Sequence, residues 1–267
     1  MSTMLWLPIL MYHRVYDEAP DRDPYGAVTA EQLDETIRYL RRRDYRFVSL
    51  DEAFELITAP GKIETGRCVS LTFDDGYRDF YTHAFPVLER HGCPATVFVA
   101  TDFIGDRNRW DEARGLPSAP LLSREEIVEL AGRGVSFGCH GASHRPLTRL
   151  SPEERRREIG GARQALSGLL GRDVAFFAYP FLDQDAAVRR EVAEAGFRGA
   201  CGGEQGWNEP FLMHRVDLSR AKGVWSRELR LRGWRYRLLR SLPGRGAAAA
   251  LRRVRGPEAD VPLAEVR

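Results

Sequence analysis

Residues 68–76 read Cys-Val-Ser-Leu-Thr-Phe-Asp-Asp-Gly, an apolar and β-branched run that stops at two carboxylates and a glycine. A run of that length closed by a turn signal reads as a buried strand. A helical pattern follows over about residues 77–90 and is closed by Gly92, and residues 95–100 form a second apolar run. Strand, helix, strand in so little chain makes the two strands parallel, because a parallel crossover needs an intervening helix.

The same alternation runs outward in both directions. Towards the N-terminus, residues 46–50 read as a strand and residues 51–57 as a short helix. Before them Thr29 caps a helix to about Arg43 with Leu33, Ile37 and Leu40 on one face, and the run up to Met11 is the first strand. Towards the C-terminus, residues 102–120 are a long loop, and Ser123 caps a helix that leads to a strand ending at Cys139-His140. Ser151 and Glu154 form a capping box opening a helix to about Leu170. Residues 174–178, 197–201 and 213–216 are further strands. About seven or eight strand–helix units fit an α/β fold closed into a barrel of parallel strands better than an open sheet. No Gly-x-Gly-x-x-Gly follows the first strand to support a dinucleotide-binding sheet. Such a barrel carries its chemistry just past the strand C-termini.

Composition bounds the class. The chain has 267 residues, 43% of them hydrophobic and 29% charged, which excludes a disordered polymer. Forty basic against 38 acidic residues leave a net charge of only +2, so the global charge names no partner. Cys68, Cys93, Cys139 and Cys201 are far apart and without a C-x-x-C, which predicts four reduced, buried thiols. The apolar run near the N-terminus is too short for a secretory signal, and no stretch reaches the roughly 20 apolar residues of a membrane span. The expectation is a cytoplasmic protein, with peripheral contact at the inner face of a membrane as an option.

Two clusters past strand ends carry chemistry. Asp74 and Asp75 repel each other unless one is protonated or a cation lies between them, although acidic residues also suit a helix N-terminus. His140 and His144, four apart in His-Gly-Ala-Ser-His, can share one cation or serve a structural role. Gly141 excludes a zincin motif, which needs glutamate there. One carboxylate and two imidazoles together leave a divalent metal open positions for water and substrate.

With Thr72-Phe73-Asp74-Asp75-Gly76 and the His140–His144 pair followed by Pro146-Leu147, the chain resembles the NodB-like polysaccharide deacetylases, carbohydrate esterase family four, from about Leu7 to Val216. The resemblance implies a distorted (β/α) barrel of about seven parallel strands and a metal-dependent hydrolase that removes an N-acyl group from an amino sugar. Asp75, His140 and His144 would be the metal ligands, zinc the expected ion, and Asp74 the general base. Residues 177–181, Phe-Ala-Tyr-Pro-Phe, match a third motif in variant form and make the Phe181 backbone N–H the oxyanion donor. Many members have an arginine where Ala178 stands, orienting the base, so this chain reads as having lost that orienter. Met11-Tyr12-His13-Arg14-Val15 looks like the opening of the subgroup resembling poly-N-acetylglucosamine deacetylases, which makes His13 the general acid and His214 its rival. His83 and His91 read as packing or surface residues, and Trp110 and Trp207 as sugar platforms or structural residues.

Residues 1–218 are then the barrel and 219–267 a basic segment with a tail. From 219 to 256 there are twelve basic residues against one acid, Glu228, leaving the rest of the chain with 28 basic against 37 acidic. Leucines and aromatics interleave with the arginines, which suits either an anionic lipid surface or a solvated helix on the barrel. The expected substrate is an N-acylated sugar or glycan, lipid-linked or soluble, and nucleic acid is not an expected partner. Competing classes are a non-catalytic carbohydrate-binding barrel and a hydrolase of non-sugar amides. The presence of base and ligands together argues against the first.

Overall fold

The computed structural model describes residues 7–18, 28–58, 67–203, 209–218 and Leu231. Its strands are β1 (Ile9–Tyr12), β2 (Val15–Tyr16), β3 (Val28–Thr29), β4 (Arg46–Phe47), β5 (Cys68–Phe73), β6 (Thr96–Val99), β7 (Ser136–Cys139), β8 (Phe176–Ala178), β9 (Gly199–Cys201) and β10 (Arg215–Val216). Its α-helices are α1 (Ala30–Arg41), α2 (Leu50–Thr58), α3 (Phe85–Arg90), α4 (Arg124–Gly132), α5 (Pro152–Arg156), α6 (Ala162–Leu170) and α7 (Ala186–Glu194).

Seven strands run in the spatial order β10-β1-β5-β6-β7-β8-β9, every neighbouring pair parallel. A parallel bridge from Cys201 to Met213, just ahead of β10, nearly closes them into a barrel. The α/β barrel expected from the alternation is therefore the fold. The short β4 pairs with the start of β5, and β2 with β3 forms a separate two-stranded ribbon that the sequence pattern did not announce.

Alternation along the strands divides the core. One set of side chains (Leu10, Val69, Leu71, Phe73, Val97, Val99, Phe137, Phe177) packs against the buried faces of α1, α3, α4, α6 and α7. The other set, including Ile9, Phe98, Phe176, Ala178, Cys201 and Met213, fills the barrel interior with α2. Phe98 fits there because Gly138 opposite has no side chain: a Cβ on Gly138 would lie 2.5 Å from the ring. The caps at Thr29, Ser123 and Ser151 are reciprocal boxes with Gln32, Glu126 and Glu154. Each satisfies two otherwise orphaned donors and fixes where its helix leaves the preceding loop.

All four cysteines are free and buried. No described helix is long and apolar enough to cross a membrane. Trp207 and, Leu231 apart, the basic segment 219–267 lie outside the described residues, and Leu231 is buried in the main core.

Candidate active site

The two quoted motifs meet at the C-terminal ends of β5 and β7. After Phe73 the chain enters the left-handed region at both Asp75 (φ 71°) and Gly76 (φ 72°). Glycine is required at 76, since a Cβ would lie 2.8 Å from Val99 Cγ1. This turn carries Asp75 across the barrel mouth. After β7, Gly141 and His144 also have positive φ, and the loop between them folds both imidazoles onto the same carboxylate. The Asp75 Oδ1 lies 3.2 Å from His140 Nε2 and 3.1 Å from His144 Nε2, and all three residues are buried. Asp75, His140 and His144 are the one group among the described residues whose ligand atoms could hold a metal ion.

The two imidazoles are oriented differently. His140 donates its Nδ1–H to the Ala178 carbonyl at 2.7 Å, which leaves Nε2 to face Asp75. Such a backbone acceptor behind a ligating histidine fixes ring and tautomer. His144 Nδ1 is buried with no hydrogen-bond partner. Its ring is instead stacked on Trp110, with centroids 4.3 Å apart, and met edge-on by Phe181 at 4.6 Å. Trp110, carried by a 3-10 turn of the long loop, is thus a wall behind His144; the buried Asn108 and Asp111 brace that turn through an Asn108 Nδ2–Asp111 Oδ2 bond of 2.8 Å.

Asp74 ends β5 on the interior side. Arg215, fully buried on β10, donates Nη1 to Asp74 Oδ1 at 2.6 Å and Nη2 to Oδ2 at 2.7 Å. Its Nε–H goes to the Gly202 carbonyl at 2.8 Å, and the guanidinium lies over the Phe98 ring. The expectation that the base had lost its orienter is therefore corrected: the arginine missing at 178 is supplied by the last strand. Ala178 contributes through its carbonyl, to His140. Burial pushes the Asp74 carboxyl up, but Arg215 and His140 outweigh it, and the group sits below the ordinary carboxylate value. For Asp75, burial is likewise outweighed, here by His144 and His140, and the carboxyl lies well below that value. Burial holds His144 below the ordinary imidazole value, whereas His140 is lifted above it because Asp74 and Asp75 overcome the burial.

His13 follows β1 and brings Nε2 to 4.0 Å from Asp74 Oδ2, with its side chain 24% exposed. His214 is buried and immediately precedes Arg215 at the start of β10. Phe181 sits at φ 55° in a tight turn after β8. The turn's hydrogen bonds run from the Leu182 N–H to Tyr179 and from the Asp183 N–H to Pro180, so neither uses the Phe181 N–H. Among the described residues, four of the five non-glycine residues with positive φ (Asp75, His144, Phe181 and Leu182) lie at this mouth. Backbone strain of this kind concentrates at functional sites. His91, by contrast, is a packing residue that pairs with Asp34 at 2.7 Å, and His83 lies in the helical turn before α3.

The family profile described as polysaccharide deacetylase matches residues 61–200, just over half the chain. The chain belongs to the polysaccharide deacetylase family. It is an enzyme of the N-deacetylase class, whose members act on sugar substrates. The Bacillus subtilis protein YxkH, named for the same family, is 26% identical over 220 residues, covering 80% of this chain and 71% of that protein. The Staphylococcus epidermidis poly-β-1,6-N-acetyl-D-glucosamine N-deacetylase is 31% identical over 143 residues, 49% of this chain and 46% of that enzyme. This chain thus spans about half the length of the staphylococcal enzyme. Among solved structures, IcaB from Ammonifex degensii superposes with a TM-score of 0.61 at 28% identity, covering 73% of this chain and 82% of that one.

Proposed function

We propose that this deacetylase hydrolyses the N-acetyl amide of a glucosamine unit, in a glycan or a lipid-linked sugar. The carrying observation is the convergence of Asp75, His140 and His144 beside Asp74, a carboxylate kept anionic by Arg215. One buried carboxylate with two imidazoles, one of them backed by a carbonyl, fits a divalent cation and suits zinc. A cation held there supplies Lewis acidity toward the acyl carbonyl and lowers the pKa of water.

The chain's own residues do the rest. Asp74, anionic and fixed by two hydrogen bonds, takes the proton of the attacking water. The Phe181 N–H donates to the oxyanion that develops on the carbonyl. His13, beside Asp74 and reaching solvent, gives a proton to the departing nitrogen, which would otherwise be a very poor leaving group. The Gly-x-Ser-x-Gly match at 134–138 gives no acyl-enzyme elbow, because Ser136 opens β7 at the end opposite His140 and does not stand on a strand-to-helix turn.

The staphylococcal relative, by its name an N-deacetylase of poly-β-1,6-N-acetyl-D-glucosamine, supports N-acetylglucosamine as the unit attacked. Four buried free thiols support a reducing, cytoplasmic setting. The basic stretch 220–255, with twelve basic residues against one acid, supports contact with anionic lipid. Residues 1–218 would then be the catalytic unit and 219–267 an appendage to it.

The test is mass detection of products after incubation with β-1,6-linked N-acetylglucosamine oligomers, lipid-linked N-acetylglucosamine and a nucleotide sugar. A product lighter by one acetyl group is expected. Cleavage of simple aryl amides alone would indicate a non-sugar amidase, and no turnover of any substrate would indicate a binding barrel.

A further inference from the structure

One buried acidic residue takes no part in the chemistry above. Glu158 is 3% exposed and, among the described residues, has no cationic ion-pair partner. Its neighbours Arg155 and Arg157 are committed elsewhere, to Glu191 and to Asp102. A buried carboxylate without a cation must be satisfied by hydrogen bonds. All of those in Glu158 come from one loop. Its Oε2 accepts the Ala142 N–H at 2.9 Å and the Ser143 N–H at 2.8 Å, and its Oε1 accepts the Ser143 hydroxyl. These two residues lie in the interval between His140 and His144.

The backbone around Glu158 is irregular in a way that serves this contact. Between α5 and α6 the rod from Pro152 to Leu170 widens into a π-helical turn over Arg157–Gly161. Within it the adjacent residues Glu158 and Ile159 are both buried, Ile159 in the main core and Glu158 under the loop. Such bulges recur at functional sites. On the loop side, a Cβ at Gly141 would lie 3.1 Å from Glu158 Oε2 and 3.4 Å from Pro180 Cγ, so the loop backbone sits close against the carboxylate. Beyond Ser143 the chain turns at His144 with φ 56°, a conformation that needs outside support in a non-glycine residue. His144 is also the imidazole whose Nδ1 has no acceptor to orient it.

We infer that Glu158 is a positioning residue for the metal site: it clamps the 141–143 backbone from the π-turn and thereby sets His144 against Asp75. This rests on the reading of Asp75, His140 and His144 as a metal site. The clamp acts through backbone donors, so it governs how tightly a cation is held whatever amide the enzyme cleaves.

The full chain, stripped with chelator, is titrated with Zn2+ against a chromophoric competitor and, separately, with Co2+ followed by its visible absorption. Circular dichroism checks the fold of each variant. Glu158→Ala is expected to weaken Zn2+ binding about 10–100-fold and to alter the Co2+ bands, as loss of outer support does at other sites. Glu158→Gln keeps an amide oxygen to accept the two N–H groups and is expected to fall between Ala and wild type. Glu153→Ala, exposed on the same rod, should bind as wild type. A folded Glu158→Ala variant that binds Zn2+ within about threefold of wild type, even with a lowered melting temperature, would overturn the assignment, because it falls short of the loss such supports typically give. Should Glu158→Ala fail to fold, Glu158→Leu, which fills similar volume but accepts no hydrogen bond, takes its place, and Zn2+ affinity within about threefold of wild type would overturn the assignment equally. If wild type itself binds no Zn2+, the metal-site reading fails first and takes the clamp with it.

Discussion

Arg215→Met removes the guanidinium from Asp74 while keeping much of the volume beside Phe98. Both partners are desolvated, with side-chain exposures of 0% and 2%, and the two charge-assisted bonds of 2.6 and 2.7 Å are lost together. Removing one member of a buried pair costs about 3–5 kcal/mol, mostly because the remaining charge is stranded. At about 2–4 °C per kcal/mol for a domain of this size, the melting temperature should fall by roughly 6–20 °C. The pH dependence has a definite sign. In the wild type the Asp74 carboxyl lies below its unfolded value, so its stabilisation is complete above that value and is lost as pH falls through the folded one. Without Arg215 the burial of Asp74 is less opposed, its carboxyl rises, and the acid limb of the pH–rate profile moves to higher pH. The discriminating measurement is a double-mutant cycle by chemical denaturation. Asp74→Asn strands Arg215, and the double variant Asp74→Asn/Arg215→Met strands neither. The double variant should be less destabilised than the sum of the single ones by about 1–3 kcal/mol. Additivity within about 0.5 kcal/mol, together with an unmoved acid limb, would refute the account of Arg215 as the orienter of the base.

Other expectations follow from the same geometry. Purified protein should carry close to one equivalent of divalent metal by elemental analysis, and His144→Ala should lose most of it; unchanged content would dismiss His144 as a ligand. Asp74→Asn should cut turnover by about 10²-fold or more with metal content near wild type, and retention of a tenth of the rate would place the base elsewhere. His13→Gln should slow amide hydrolysis by about 10²-fold yet spare an activated aryl ester, whose leaving group needs no proton; equal losses on both substrates would argue against an acid role. Gly138→Ala should cost about 1–3 kcal/mol in denaturant unfolding, since its Cβ would meet the Phe98 ring at 2.5 Å, and a neutral result would mean the barrel interior yields more than close packing allows.

The barrel and the cation cluster were legible because they rest on local patterns. Apolar runs of strand length ended at polar pairs, and the pairs at 74–75 and 140/144 needed only to be placed on one rim. Capping boxes such as Ser151–Glu154 were equally local. Arg215 was not legible. It lies 141 residues from Asp74 and on a strand of two residues, in a chain where nearly every basic residue is arginine. The gap at Ala178 invited the conclusion that the base was unsupported, because a vacancy at one position says nothing about which other strand points into the same space. Glu158 was hidden differently. In a regular helix after Ser151 it reads as one more surface charge among Glu153, Glu154 and the arginines, and only the widened turn buries it. The Gly160-Gly161 pair, poor helix formers in mid-helix, was the available signal. Trp110 was weighed as a sugar platform, and its contact with His144 comes from a loop whose path depends on distant residues.

The supply of Arg215 by the final strand gives the site a birth order. A ribosome delivers β5, β6 and β7 early, and with them Asp75, His140 and His144. Asp74 emerges alongside Asp75, but its guanidinium partner arrives only when β10 pairs with β1, the Ile9 to Arg215 closure that spans about three quarters of the chain. Closures over such separations are slow, because the entropy of the intervening loop must be lost before any contact forms. Under the mechanism proposed above, a nascent or circularly opened chain would bring Asp75, His140 and His144 together before Asp74 is held by Arg215.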